Sequence, residues 1–471
     1  MYTKNIYKNK FIWIFLAIVL LMFSTSIFSD VIITTRHGIN FWHALFEGEI
    51  FHFYKYNQNA IYLPKTNESW DAIYNIVVYI FFAIWDFPLW IVEHFCKIDV
   101  LNSTIGLLYG KAIVIPFLIG IIKRMYDLLL IFVNDKEAKD AVCMFLSSGY
   151  VLFTVITMGQ YDVILLYFIL GGIYGYCKND KKMFYLNFVL AIPLKMFALF
   201  IFVPLVLLSE KNVIRIIGNL LGGCSLFIGT TLVSYLLDGN VIKESANYTM
   251  DLIRKMFVNN LTFSFMECSI FVMIMILICL GAYFWKKEVE IDKIWIIYLT
   301  CFIYASFCVC CPASPQWHII MAPFMAILIV AQKSNRMILI FLETIATGSI
   351  ILAQGMFLNH IISANMVDLL WLPNIFGSIN NWSEYNSIWL LLSKEIGADV
   401  VVAFFLRTLV PIYVVSSVLF LVFTFPENFK WKKYLLDSNE YKYILPVRLM
   451  LNMLLSFIPI FSYLLAIATN N

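Results

Sequence analysis

Apolar residues along this chain come in long blocks, not in alternation. The block Phe11–Ser29 follows Lys4, Lys8 and Lys10 and has the length needed to cross a bilayer, about 20 mainly apolar residues. No small-x-small cleavage site follows it, so it reads as a retained anchor with a cytoplasmic N-terminus. Comparable blocks recur at about 103–133, 141–158, 161–177, 213–237, 265–284, 294–311, 317–332, 337–357, 398–424 and 446–468. Two further stretches are less regular. Residues 72–95 contain Asp86, Pro88, Glu93 and His94. Residues 183–208 have basic clusters on both flanks (Lys178, Lys181 and Lys182, then Lys211 and Arg215), with Pro193-Leu194-Lys195 midway.

Basic residues gather on the cytoplasmic side of membrane proteins, so they arbitrate between topologies. If 72–95 stays at the outer interface or re-enters, and 183–208 is a hairpin returning to the cytoplasm, 22 of the 33 Lys and Arg fall on cytoplasmic segments. A crossing by 72–95 alone would invert the next loops and erase that asymmetry. The pattern therefore predicts an all-α fold: a polytopic transmembrane helix bundle of about eleven crossings plus re-entrant or interfacial helices. The longer polar loops, 30–102, 238–264 and 358–397, then lie on the outer face.

Composition agrees with the pattern. Hydrophobic residues make up 62% and charged residues 13%, with a mean hydropathy of +0.83. Soluble domains carry about 25% charged residues. A soluble enzyme, a disordered chain and a nucleic-acid binder are excluded. The net charge of +3 implies no strongly charged partner. The ten cysteines form no CxxC pair, and Cys308, Cys310 and Cys311 read as small packing residues, not metal ligands.

The remaining polar positions are candidate chemistry. Asp30 ends the first block at the outer boundary, where a partly desolvated carboxylate can serve as a general base. Arg36 and His37 follow it, beside an amphipathic stretch at 41–54; they suit a phosphate or sugar, or else a plain interfacial helix. Gly159-Gln160-Tyr161-Asp162 is a tight turn with an amide and a carboxylate at membrane depth; Asp162 lines a site or caps the next helix. Lys195, at the hairpin tip, suits a phosphate, or else snorkels along a helix. In the turn Pro312–His318, Gln316 and His318 are polar and Trp317 offers a flat face for a sugar, or else a belt residue. Lys111 and Arg407 are isolated cations within blocks, suited to a lipid phosphate or to an acid such as Glu343.

In this order and spacing, the acid after the first span, the long first outer loop, the Gly159–Asp162 turn, the Lys195 hairpin and Pro315-Gln316-Trp317 resemble the multi-spanning GT-C glycosyltransferases. The likeness is to bacterial proteins related to the second mannosyltransferase of GPI-anchor synthesis, and it covers roughly residues 10–330. It implies a catalytic transmembrane module at 1–333, with C-terminal helices and a further outer loop at 334–471. It implies sugar transfer, with inversion, from a polyprenyl-phosphate donor to a hydroxyl of a glycan, lipid or protein on the extracytoplasmic face. Asp30 would be the base. Gln160 and Asp162 would line the cavity, and Lys195 would meet the donor phosphate. The lipid-linked sugar is itself the donor, so no cofactor or metal is expected. Family members often carry Asp-x-Asp in the first loop. Here Val31 and Ile32 follow Asp30, which leaves Glu47, Glu49 and Asp71 open as alternatives.

Three other readings compete, one of them a structural or scaffold membrane protein without activity. A lipid-linked glycan polymerase or ligase would want arginines in an outer loop, and 358–397 has none. A transporter or flippase would place ionisable groups along a path open to both faces, whereas these concentrate on one.

Overall fold

A computed structural model describes residues 10–63, 68–256, 260–263, 266–286, 292–311, 313–332, 335–363, 367–377, 397–426 and 441–470. Most of the expected outer loop 358–397 and of the connection 425–445 lies outside the described residues. The chain is predominantly helical. The first helix, α1 (Lys10–Thr25), passes through a short joint, β1 (Ile27–Phe28), into α2 (Ser29–Phe46). A hairpin of β2 (Ala60–Leu63) and β3 (Glu68–Trp70) follows, antiparallel, with Ile61 opposite Ser69. Next comes α3 (Ile76–Cys96), N-capped by the Asn75 side chain on the Val77 amide.

Residues 72–95, expected as an interfacial or re-entrant element, contribute a single helix of 21 residues that Pro88 does not break. By length and composition α3 is able to cross a bilayer. It packs along α2 at close range. A Cβ on Gly38 would lie 2.9 Å from Phe82, and Trp42 Nε1 donates to the Ala83 carbonyl at 2.7 Å. Only a residue without a side chain allows that approach.

After α4 (Thr104–Lys111), α5 (Val114–Leu129) and α6 (Asp135–Leu146), the chain enters a π-helix at Tyr150–Thr157, bent 58° from α6. The turn at Gly159 leads into α7 (Asp162–Cys177). Then α8 (Lys181–Leu194) and α9 (Leu199–Ser209) follow, with the chain folding back between them. Phe202 of α9 lies 5.6 Å from Phe184 and 5.1 Å from Phe188 of α8, ring centre to ring centre. Pro193 lacks the amide needed to continue the helix. The chain reverses at Lys195, as the basic flanks implied.

The remainder comprises α10 (Val213–Met256), kinked at Asp238, a hairpin of β4 (Asn260–Phe263) and β5 (Met266–Ser269), α11 (Ile270–Phe284), α12 (Lys293–Cys310), a 3-10 turn at Pro315–Ile320, α13 (Ala322–Ala331), α14 (Arg336–Ser363), β6 (Val367–Asp368), α15 (Ala398–Thr424), α16 (Tyr441–Ser456) and α17 (Ile458–Asn470). Among the described residues, six helices are long and apolar enough to cross a membrane, or eight if each of two bent pairs is one span. Shorter apolar helices, such as α7 and α11, occupy other expected spans. Large apolar side chains such as Ile84, Ile119, Leu236, Leu277 and Met450 point outward. Water would penalise such a surface and a bilayer would not.

A buried ion pair joins two C-terminal helices, and its arginine ties them to the end of α6. Arg448 of α16 grips Glu343 of α14 through two bonds, Nε–Oε2 at 2.8 Å and Nη2–Oε1 at 2.9 Å. It also donates to Ser147 Oγ and to the Met144 carbonyl. Glu343 is thus the partner of Arg448, not of Lys111 or Arg407. Truncating one member strands the other charge. Arg448→Met is expected to lower stability by about 3–5 kcal/mol in detergent unfolding. Adding Glu343→Gln should recover part of the loss; a neutral single variant would show that the pair carries no net stability.

Candidate functional site

The site begins at the joint between α1 and α2. Ser26 Oγ donates to the Thr157 carbonyl at 3.0 Å, and the Phe28 amide donates to the Met158 carbonyl at 2.9 Å. These bonds hold the start of α2 against the end of the π-helix. Asp30 therefore sits in the first turn of α2, facing the Gly159–Asp162 turn. It belongs to a helix that begins well before the 41–54 stretch expected as interfacial, and the helix N-terminus favours an anion there.

Gly159 adopts φ +78°, a left-handed conformation that glycine takes without penalty. The turn delivers Gln160 and Asp162 on the side facing Asp30. The α8–α9 hairpin delivers Lys195 to the same place. Its ammonium is hydrogen-bonded to Asp162 Oδ1 and lies 5.4–5.8 Å from the ring centres of Tyr161, Phe197 and Trp317. Asp162 is buried and spends its carboxylate on Lys195 rather than on capping α7, which has no side-chain cap. Its second oxygen, Oδ2, has no hydrogen-bond partner among the described residues.

Asp30 remains half-buried beside this pair. Burial pushes its carboxyl above the usual carboxylate range. The Lys195 charge opposes that shift, Asp162 reinforces it, and the Gln160 amide opposes it. The Gln160 contact is loose, since Nε2 makes no bond of full hydrogen-bond geometry. Asp30, Gln160, Asp162 and Lys195, from three segments distant in sequence, thus form one electrostatic cluster. Beside the Lys195–Asp162 pair lies a cleft of 10 Å³, room for about one water, walled by Val78, Phe81, Ile164, Leu165 and Leu194.

Of the other candidates, Trp317 borders Lys195, while Arg36 and His37 have partners of their own. Arg36 points away into a clamp, with Nη1 on Glu93 at 2.8 Å and Nη2 on Asp99 at 2.5 Å. It fastens α2 to both ends of the 93–99 segment and leaves no fork for a phosphate. His37 is buried against Tyr79, with Nε2 at 3.2 Å from the Trp70 carbonyl. Burial lowers its pKa to about 4, so it is neutral near pH 7 and unsuited to bind an anion. Trp317 is buried between Phe197 and Phe307, where it offers a face to Lys195 and not to a sugar. Gln316 is half-buried one residue before it. His318 stacks on Tyr150 and meets Tyr413 edge-on, away from the cluster. Arg407 is exposed.

The alternatives to Asp30 also lie elsewhere. Glu47 caps the far end of α2, about 25 Å along the axis from Asp30. Glu49 is exposed, and Asp71 Oδ1 accepts the Asn59 amide at 2.6 Å. A further first-loop acid, Glu68, is linked to the neighbourhood of Asp30 through Tyr62. Glu68 Oε2 accepts from Tyr62 Oη at 2.6 Å, and Tyr62 is within Coulombic reach of Asp30. The strand pairing of β2 with β3 makes that contact, and no local pattern announces it.

His37 gives a pH prediction. Its folded pKa lies below the unfolded value of about 6.5, so the unfolded chain binds the extra proton first. Stability is full above about pH 6.5 and falls as the pH drops toward 4, by about 3 kcal/mol in all. His37→Gln should flatten that slope in acid unfolding curves; an unchanged slope would locate the acid sensitivity elsewhere.

No protein-family model, no curated protein and no solved structure matches the chain.

Proposed function

We propose that the protein is an integral-membrane glycosyltransferase of the GT-C type, with its site on the extracytoplasmic face. It takes a sugar from a polyprenyl-phosphate donor and passes it to a hydroxyl of a cell-surface glycan, lipid or protein. The observation that carries this reading is the meeting of Asp30, Gln160, Asp162 and Lys195 in one cluster. Asp30 removes the acceptor proton. The freed oxygen attacks the anomeric carbon opposite the phosphate, the carbon–phosphate-oxygen bond breaks, and polyprenyl phosphate leaves. The configuration inverts. Negative charge grows on the phosphate as the bond breaks, and the Lys195 ammonium is held where it offsets that charge. A base with a raised pKa is better matched to neutral pH than an ordinary aspartate.

One further feature supports a lipid-linked donor. An apolar groove of 510 Å³ runs between α9 and α11, from Leu199 and Phe200 to Tyr283, and begins one helical turn beyond Lys195. It suits an isoprenoid chain. The test is reconstitution in nanodiscs with polyprenyl-phosphate mannose and other hexoses, together with an acceptor-bearing membrane extract. Expected is release of polyprenyl phosphate coupled to a new glycosidic bond. Donor movement across the bilayer without transfer would replace this reading with a flippase.

A further inference from the structure

Lys111 lies at the C-terminal end of α4, fully buried, and the chemistry proposed above does not use it. Its Nζ donates to three backbone carbonyls: Phe23 at 2.6 Å, Ser26 at 2.6 Å and Thr157 at 2.8 Å. An ammonium has three hydrogens, and here each has an acceptor. The acceptors belong to two separate segments. Phe23 is in the last turn of α1, whose final carbonyls have no intrahelical partner, and Ser26 is in the joint that leads to Asp30. Thr157 ends the π-helix that leads to Gln160. Asp30 follows Ser26 by four residues, and Gln160 follows Thr157 by three.

The stem of Lys111 completes the joint. A Cβ on Gly159 would fall 2.6 Å from Lys111 Cγ, so the turn carrying Gln160 and Asp162 rests directly on the lysine. Phe23 covers the ammonium from one side, its ring centre 4.5 Å away. An apolar residue at 111 would leave three carbonyls competing for fewer donors in a region that water does not reach. A glutamine would reach with two hydrogens instead of three.

We infer that Lys111 is the positioning residue of this site: its ammonium, bound by the carbonyls of Phe23, Ser26 and Thr157, sets the distance between Asp30 and the Gln160–Asp162 turn. The inference rests on the proposed transfer reaction for its kinetic readout and on the structure alone for its spectroscopic one. Displacement of reacting groups by about 1 Å costs about 100-fold in rate.

The experiment uses the full chain in nanodiscs with Lys111→Ala and Lys111→Arg, each with and without added propylammonium. Turnover is followed, and the carboxyl stretch of Asp30 is titrated by infrared difference against Asp30→Asn. Lys111→Ala is expected to lose about 100-fold in kcat while KM for the donor changes less than about threefold. Propylammonium, which refits the cavity with a cation, should restore about tenfold in Lys111→Ala and nothing in the wild type. The Asp30 titration should move in Lys111→Ala and return with the amine. A folded Lys111→Ala with wild-type turnover and titration would overturn the inference, as would a loss that the amine restores in neither readout. If Lys111→Ala does not fold, Lys111→Arg, which keeps the charge with altered geometry, must show the same displaced titration, and an unmoved titration overturns the inference. If the wild type transfers no sugar, the glycosyltransferase reading fails by itself, and the titration still decides the role of Lys111.

Discussion

Asp30→Asn is expected to lower sugar transfer by about 1,000-fold, the contribution of a well-placed general base. The amide keeps the shape of the carboxyl, so donor binding should stay within a few-fold of wild type. The variant should also be more stable at neutral pH. Burial holds the Asp30 carboxyl above its ordinary range, so the folded state binds that proton more tightly than the unfolded chain. Stability from this group is therefore greatest at low pH and declines as the pH rises through the raised pKa. A neutral amide removes that decline. Loss of turnover together with a higher melting temperature identifies a group kept for chemistry at the expense of the fold. A purified Asp30→Asn protein with near wild-type turnover rejects Asp30 as the base, and Glu68 becomes the next acid to test. For the wild type, the acid limb of the rate profile should lie above the usual carboxylate range.

Lys195→Met is expected to act on both activity and stability. It leaves the Asp162 carboxylate buried without its cation, and breaking such a pair by removing one partner costs about 3–5 kcal/mol. It also removes the positive charge from the place where the leaving phosphate would gather its own. Adding Asp162→Asn to Lys195→Met should return most of the stability, because the stranded charge is gone. Transfer should stay lost. Parallel melting and turnover measurements on the single and double variants separate the two effects. Recovery of transfer in the double variant would assign the pair to architecture alone.

Part of this molecule is legible without its structure. The hairpin reversal at Lys195 follows from two basic flanks and a proline between apolar arms, all of it local. The turn at Gly159 is equally local, since a glycine among polar residues at membrane depth marks a place where helices end. Asp30, Gln160, Asp162 and Lys195 stand out as polar residues at the ends of apolar blocks, a feature that each shows on its own.

The partners of the charges are a different matter. Arg36 stands six residues after Asp30 in a polar run, and its sequence setting suited a ligand. The packing of α2 on α3 gave it Glu93 and Asp99 instead. Trp317 was placed as a sugar platform, but the 3-10 turn at 315–320 carries it inward beneath Lys195. Glu68 carries no local signal, because strand pairing, not periodicity, brings it to Tyr62.

Sequence by itself determined the helical architecture and the long apolar helices compatible with a membrane, because the length and composition of an apolar block are local properties of the chain. Tertiary structure alone decided which charges neutralise one another, which become clamps, and that Lys111 answers to three carbonyls and, among the described residues, to no acid. Those outcomes depend on which helix faces meet. A sequence whose apolar blocks look alike on every face does not encode that choice in any period that can be read along it.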